Sequence, residues 1–106
     1  MIYSVRMTEF FEKQFHKIIP KNKQQDILKR MNELSRNPYI GKPLGSKFMR
    51  ELKLDKYRVY FLVYEEEVLI LFVAVSDKKD QQNTINTINQ NKDIYYKFVK
   101  NLKDSE

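Results

Sequence analysis

The sequence predicts an α+β domain ordered β-α-α-β-β-β(-α), in which an N-terminal helical hairpin packs on a small, mostly antiparallel sheet beside a C-terminal helix. Two observations predict this class. The apolar residues follow a helical period in the first third of the chain and a strand period in the middle. Four of the five glycines and prolines lie within residues 38–45, between the two patterns. With 106 residues, we expect a single domain over 1–106, with a core over 1–88 and a C-terminal helix or tail over 89–106.

The N-terminal part predicts one strand and two helices. Residues 2–7 can form a first strand, and Thr8 can cap the helix that follows. Apolar residues then recur at the spacing i, i+4, i+7, i+8 until Pro20 ends the helix. A second helix is predicted over 23–36. Because the connection between them is so short, the two helices should form an antiparallel hairpin.

The middle of the chain predicts antiparallel strands. Apolar and polar residues alternate up to residue 54 and again from residue 57, which makes residues 55–56 a two-residue hairpin turn. The acidic residues 65–67 form the next turn. Residues 68–75 are all apolar, which is typical of a central strand covered on both faces.

The C-terminal part is less regular. Residues 80–93 are polar and contain two apolar anchors, Ile85 and Ile88, so this stretch is either a short helix or a mobile connection. Helical spacing resumes over residues 94–102, with lysines on the other side of the helix. That helix either docks on the domain or contacts a nucleic acid.

The first hairpin brings two cations together. A two-residue turn pairs Lys53 with Arg58, and directly paired residues share a face of the sheet. Two solvated cations in this position repel by about a few tenths of a kcal/mol. An anion bound above them would remove the repulsion. Alternatively both side chains splay into water, or Glu51 or Asp55 neutralises one of them.

The second hairpin brings further cations to the same end. With residues 65–67 as the turn, residues 75–76 should lie beside residues 56–57, and Lys78 and Lys79 should emerge next to the first two cations. The acidic turn then lies at the opposite end of the sheet. A cationic end of this kind can hold an RNA or DNA phosphate, or the carboxylates of an acidic protein.

Composition excludes several other classes of site. The chain has no cysteine and one histidine, so disulfides, thiolate metal sites and multi-histidine zinc sites are excluded, and we expect no metal or cofactor. No apolar run is long enough to cross a bilayer, and the first residues do not form a basic segment followed by an apolar one. We therefore expect a cytoplasmic protein with no membrane partner. The net charge of +6 favours an anionic partner.

Several short segments, taken in order, resemble a known family. They are Gly41-Lys-Pro-Leu-Gly45, Glu51-Leu-Lys-Leu54, Lys56-Tyr-Arg-Val-Tyr60, the apolar run over 68–75 and Lys78-Lys79. Together with the β-α-α-β-β-β order, they resemble the RelE/ParE toxin superfamily over about residues 1–88, most specifically over 52–79. The resemblance implies the toxin of a type II toxin–antitoxin pair, which in the RelE branch enters the ribosomal A site and cleaves mRNA.

The resemblance also implies roles for individual residues. Lys53 matches the general base of the RelE branch, and Arg58 matches the arginine that binds the scissile phosphate. Lys79, or Lys78 with a one-residue shift, matches the basic residue after the last strand. Around this set we predict four RNA contacts: Lys47, Arg50, Lys78 and Gln81. A lysine close to other cations loses its proton more readily, which suits a general base.

Two features depart from the RelE pattern. RelE-like enzymes commonly have an arginine where Lys79 stands and, a few residues later, a tyrosine that stacks on the mRNA base. Residues 78–81 instead resemble the Lys-Lys-x-Gln ending of HigB-like relatives, which are also ribosome-dependent RNases. Two alternatives stay open: a ParE-like protein that poisons DNA gyrase without catalysis, and a decayed toxin that binds only its antitoxin or RNA.

The resemblance finally implies a protein partner. An antitoxin of this superfamily is usually an acidic or amphipathic chain wrapped on the toxin. We expect it to cover the end formed by Lys53, Arg58 and Lys79, or to displace the helix over 94–102.

Overall fold

The computed structural model describes residues 2–105, so residues 1 and 106, the ends of the predicted domain, lie outside it. Five strands form one sheet of order β1-β5-β4-β3-β2, in which β1 and β5 are parallel and the other pairs are antiparallel. The elements are β1 (Ser4–Met7), α1 (Glu9–Ile18), α2 (Lys21–Leu34), β2 (Lys42–Pro43), β3 (Met49–Leu54), β4 (Tyr57–Tyr64), β5 (Leu69–Asp77), α3 (Gln81–Gln90) and α4 (Lys92–Asp104). The predicted α+β class and element order are confirmed.

Local hydrogen bonds determine where the first two helices begin. The Thr8 hydroxyl accepts a hydrogen bond of 3.0 Å from the Phe11 N–H and caps α1, as the sequence predicts. Helix α2 begins two residues earlier than predicted, because the carbonyl of Pro20 accepts hydrogen bonds from the N–H groups of Lys23 and Gln24. It also ends two residues earlier than predicted, at Leu34.

Two hydrophobic cores lie on the two faces of the sheet. The first forms under the helical hairpin; its buried members include Phe11, Phe15, Ile27, Met31, Val59, Phe61 and Phe72. The second forms under α3 and α4; its buried members include Tyr60, Leu62, Leu69, Leu71, Ile88 and Val99. Strands β4 and β5 therefore contribute side chains to both cores, which confirms the predicted central strand.

The polar stretch after β5 is helical. Its two apolar anchors, Ile85 and Ile88, pack into the second core, and this packing stabilises α3 although its sequence is mostly polar amides. Of the two structures left open for this stretch, the short helix is therefore the one that forms. The helix predicted over 94–102 is α4. Within residues 2–105, none of the helices combines the length and the apolarity that crossing a membrane requires.

The pairing of β4 with β5 differs from the prediction by two residues. Val68, with a left-handed φ of 51°, lengthens the predicted acidic turn by one residue. A β-bulge at Val73 adds one more residue to β5 than to β4. Tyr57 consequently pairs with Asp77, whereas the sequence predicted residues 75–76 at this level, and that prediction is wrong.

Candidate functional site

The candidate site lies at the end of the sheet where β3 turns into β4. Residues 55–56 form the predicted two-residue turn, in which Asp55 has a left-handed φ of 54°. Aspartate tolerates this conformation better than most residues, so the chain reverses within two residues. Lys53 therefore pairs directly with Arg58, which confirms the predicted register. The two cations lie on the sheet face that α3 and α4 cover.

The fold itself fixes Arg58. The residue is 5% exposed, and its Nη1 donates hydrogen bonds of 3.0 Å to the carbonyl oxygens of Asp55 and Tyr57. Charge-assisted bonds from a planar guanidinium stabilise the turn and fix the orientation of the group. The Nε and Nη2 atoms donate to no residue that the structure describes.

Lys53 is held by its backbone and not by its side chain. Its carbonyl oxygen accepts a hydrogen bond of 2.9 Å from Nη1 of Arg30 in α2, while its ammonium is exposed and has no partner within residues 2–105. The carboxylate of Asp55 pairs with Lys23, also in α2. Helix α2 thus holds the hairpin at two points and leaves the Lys53 ammonium unneutralised.

A buried carboxylate lies on the same face. Glu51 precedes Lys53 by two positions in β3, and strand residues two apart point to the same side. Glu51 is 2% exposed, and its Oε2 accepts a hydrogen bond of 2.9 Å from Nε2 of Gln81. Glu51 and Asp55 are the two carboxylates that could neutralise the cationic pair. The Glu51 carboxylate instead accepts a hydrogen bond from the Gln81 amide, and the Asp55 carboxylate pairs with Lys23 of α2.

Polar side chains at the end of β5 lie beside the cationic pair of Lys53 and Arg58. Ser76 pairs with Arg58, and its hydroxyl lies 2.7 Å from the Tyr60 hydroxyl. Burial raises the pKa of the Tyr60 phenol, and the Ser76 hydrogen bond acts in the opposite direction. The Asp80 N–H donates a hydrogen bond of 3.0 Å to Oδ1 of Asp77, which closes the turn that follows β5.

Lys78 and Lys79 occupy this exposed turn between β5 and α3. The turn leaves β5 at Asp77, next to the β3–β4 hairpin, and ends at Gln81, whose side chain bonds to β3. The structure thus brings both lysines to the end that holds the cationic pair, and either of them can supply a third cation.

Two other predicted RNA contacts lie elsewhere. Lys47 precedes β3 at the far end of the sheet, where its Nζ is 3.4 Å from Glu65 Oε1 and 4.9 Å from the ring centroid of Tyr39. Hydrogen bonds from Tyr39 and Lys47 hold the pKa of the Glu65 carboxyl below its usual value. Arg50 is 7% exposed and donates to the carbonyl oxygens of Gly41, Lys47 and Tyr39. Both residues are used within the fold, away from the candidate site.

The arrangement fits an anion with several oxygens. Arg58 offers fixed donors, while Lys53 and the 78–79 turn offer ammonium groups on flexible stems, a combination suited to phosphate. The residues that the structure describes contain no group of three or more His, Cys, Asp or Glu side chains that could hold a metal ion.

Sequence reasoning missed the contacts that surround this set. The alternation of Glu51 with Leu52 already signals that the carboxylate shares a face with Lys53. Its bond to Gln81 and the contact from Arg30 carry no sequence signal, because both join elements at least 23 residues apart.

Comparison with known proteins identifies relatives of this chain. The family model that matches describes the ParE toxin of the type II toxin–antitoxin system parDE, over residues 5–82. No curated protein sequence matches. A free mutant form of the E. coli toxin RelE superposes with a TM-score of 0.71 at 19% identity, covering 85% of this chain and 98% of that chain.

Two toxin–antitoxin complexes are also similar. The RelBE2 complex of Mycobacterium tuberculosis matches at 23% identity with a TM-score of 0.62, covering 73% of this chain and 92% of that chain. The archaeal RelE–RelB complex of Pyrococcus horikoshii OT3 matches at 20% identity with a TM-score of 0.59, covering 74% of this chain and 97% of that chain. These similarities establish the fold.

We expect alanine substitutions of the paired cations to differ in their effect on stability. Lys53→Ala removes an ammonium without a described partner, so the free energy of unfolding should stay within about 0.5 kcal/mol of wild type. Arg58→Ala removes two charge-assisted bonds and leaves two turn carbonyls unsatisfied, which should cost about 1–3 kcal/mol. Urea denaturation measures both values, and equal losses would contradict the structural role given to Arg58.

Proposed function

Because this chain belongs to the RelE/ParE toxin superfamily of type II toxin–antitoxin systems, we propose that it is a ribosome-dependent endoribonuclease that cuts mRNA and inhibits translation. The observation that carries the proposal is the exposed, unneutralised Lys53 directly opposite the fixed Arg58. Ribosomes and mRNA lie in the cytoplasm, so the proposal places the protein there as well.

In the proposed reaction the substrate supplies its own nucleophile. The 2′-hydroxyl oxygen forms a bond to the adjacent phosphorus while the bond from phosphorus to the next 5′-oxygen breaks. The products are a 2′,3′-cyclic phosphate and a 5′-hydroxyl. Because no external nucleophile has to be activated, the reaction as proposed uses neither a metal nor a cofactor.

Each cation of the site has a separate role in this reaction. Lys53, in its neutral amine form, accepts the proton of the 2′-hydroxyl as general base and becomes an ammonium. Arg58 donates from Nε and Nη2 to the non-bridging oxygens, where negative charge grows in the transition state. Lys79, or Lys78, gives a proton to the leaving 5′-oxygen. Holding Arg58 by the turn supports this scheme, since a fixed donor need not reorganise during the reaction.

Basic residues outside the site suit the proposed docking on ribosomal RNA. Residues 51–77 carry three basic and six acidic side chains, so the positive excess belongs to the rest of the chain. Exposed lysines lie on α2 and α4, among them Lys21, Lys29, Lys97 and Lys100. Contacts of this kind bind phosphates without regard to sequence and weaken as the salt concentration rises.

We also propose an antitoxin partner that covers the Lys53, Arg58 and Lys79 end or displaces α4. The RelE structures from M. tuberculosis and P. horikoshii are complexes with antitoxins, which supports a partner of this class. Displacement of α4 is supported by its packing. Val99 is the single buried residue of α4 among those described, so little apolar surface holds this helix to the domain.

A ParE-like function is the second candidate. The observation that favours it is the family model itself, which describes a ParE toxin. In that case the protein would poison DNA gyrase and the cationic end would bind a protein or DNA without cutting RNA. The gyrase-poisoning relatives lack the catalytic set, so Lys53 and Arg58 favour the endoribonuclease.

We expect purified toxin to produce site-specific mRNA ends on translating ribosomes. Lys53→Ala should lower the cleavage rate by about 100-fold or more, as expected for loss of a general base. Because we expect Lys53→Ala to leave the stability nearly unchanged, a loss of cleavage in this variant can be attributed to the chemistry more directly than in Arg58→Ala. Mapping of 5′ ends measures the effect, and Lys13→Ala serves as a control because Lys13 lies on α1, away from the site, and pairs with Glu9 on the same helix.

The outcomes of this experiment separate the alternatives. Cleavage that survives Lys53→Ala would contradict the proposed mechanism. A wild-type protein that makes no mRNA ends but inhibits DNA supercoiling by gyrase would establish the ParE-like function instead. Inactivity in both assays would indicate a toxin that binds only its antitoxin or RNA.

We expect the product of the adjacent open reading frame to bind the toxin and relieve its toxicity. In the complex, amide hydrogen exchange should slow over residues 53–58 and 78–81, or the α4 amides should lose protection as that helix is displaced. Comparison of exchange with and without the partner measures both changes. A stable complex that alters neither region would refute the proposed surface.

A further inference from the structure

Glu51 is a buried carboxylate that the proposed reaction does not use. It is 2% exposed, and no lysine or arginine among the described residues lies within ion-pair distance of it. A carboxylate removed from water without a cationic partner is unfavourable unless hydrogen bonds compensate it. The described hydrogen bond to its carboxylate comes from Gln81, at 2.9 Å.

This bond joins two elements that flank the site. Glu51 stands in β3, two residues before Lys53, and Gln81 is the first residue of α3. Strand β4 lies between them, and its Tyr60 pairs with Glu51. The bond therefore spans β4 and fastens the beginning of α3 to the strand that carries the proposed general base.

The turn with Lys78 and Lys79 is consequently fixed at both of its ends. At its beginning, Asp77 pairs with β4 and accepts a hydrogen bond from the Asp80 N–H. At its end, Gln81 bonds to β3. Without this bond, the turn would still be followed by a helix that Ile85 and Ile88 anchor in the second core, but it would have no described attachment to β3.

We propose that Glu51 and Gln81 form a positioning pair that holds the 78–79 turn against the Lys53 end and so places the third cation of the site. Neither residue touches the reacting atoms in this scheme. The kinetic consequence rests on the endoribonuclease function proposed above, whereas the structural consequence does not. Gln81, predicted from the sequence as an RNA contact, acts here within the protein.

Amide hydrogen exchange of the full-length chain tests the pair without a ribosome. Glu51→Ala and Gln81→Ala should each accelerate exchange at the hydrogen-bonded amides of Asp80 and Thr84 by about 10-fold or more, as expected for loss of a hydrogen bond to a charged group. The double variant should exchange no faster than the faster single variant, because both remove the same bond. Unchanged exchange in both single variants would overturn the pair.

Two further variants serve as controls. Glu51→Gln keeps an oxygen that can accept the Gln81 N–H, so its exchange should stay close to wild type. Gln82→Ala truncates the neighbouring glutamine, which is exposed and bonds to Asn86 within α3, so it should not affect the turn. If Glu51→Ala fails to fold, Gln81→Ala carries the test, because Gln81 is only half-buried.

Cleavage kinetics on programmed ribosomes test the effect on the site. Glu51→Ala and Gln81→Ala should lower kcat by about 10-fold with KM nearly unchanged, and Glu51→Gln should restore most of the rate. Faster exchange with full cleavage would overturn the positioning role. If wild type does not cleave, the endoribonuclease function fails, and the exchange measurements still decide whether the pair holds the turn.

Discussion

The candidate site depends on the pairing of β3 with β4 across the turn at residues 55–56. In a strand the side chains alternate between faces, so a slip of one residue would move Lys53 to the opposite face from Arg58. Two features hold the register. Asp55 adopts the left-handed conformation that a two-residue turn requires, and the Arg58 guanidinium donates to two carbonyl oxygens at the turn. Arg58 thus belongs to the candidate site and also stabilises the turn that forms it.

The two paired cations differ in burial and in how far the fold already uses them. Arg58 is buried and partly used by the turn, which suits a fixed ligand for phosphate oxygens. The side chain of Lys53 is exposed, so a substrate can reach the amine that the proposed reaction uses as general base. Helix α2 supports both through its contacts with the hairpin. At the far end of the sheet, the Glu65 carboxylate accepts a hydrogen bond from the Tyr39 hydroxyl and pairs with Lys47. The acidic turn and the cationic pair thus lie at opposite ends of the sheet.

The sequence predicts those features that follow from local patterns. Alternation of Leu52 and Leu54 with charged residues predicts the first hairpin, and the two-residue turn then predicts the Lys53–Arg58 pair without tertiary information. The helical hairpin follows in the same way from apolar spacing and from Pro20. The Lys53–Arg58 pair at the cationic end can therefore be predicted from the sequence alone.

Features that depend on tertiary packing are not predictable in this way. The left-handed conformation of Val68 and the bulge at Val73 shift the β4–β5 register, and neither residue type favours these conformations by itself. Burial of Arg50 arises because three carbonyl oxygens converge on it from the preceding loop. Likewise, α3 is helical because Ile85 and Ile88 find a core beneath them, although its other residues are mostly polar.

A cryo-electron microscopy structure of the toxin on a ribosome would test the central claim most directly, with mRNA carrying a 2′-O-methyl group at the cleaved nucleotide. The account predicts the Lys53 amine within hydrogen-bond distance of the 2′-oxygen and Arg58 on the non-bridging phosphate oxygens. It also predicts one lysine of the 78–79 turn near the 5′-oxygen. An mRNA bound at another surface, with this end of the sheet in solvent, would contradict it.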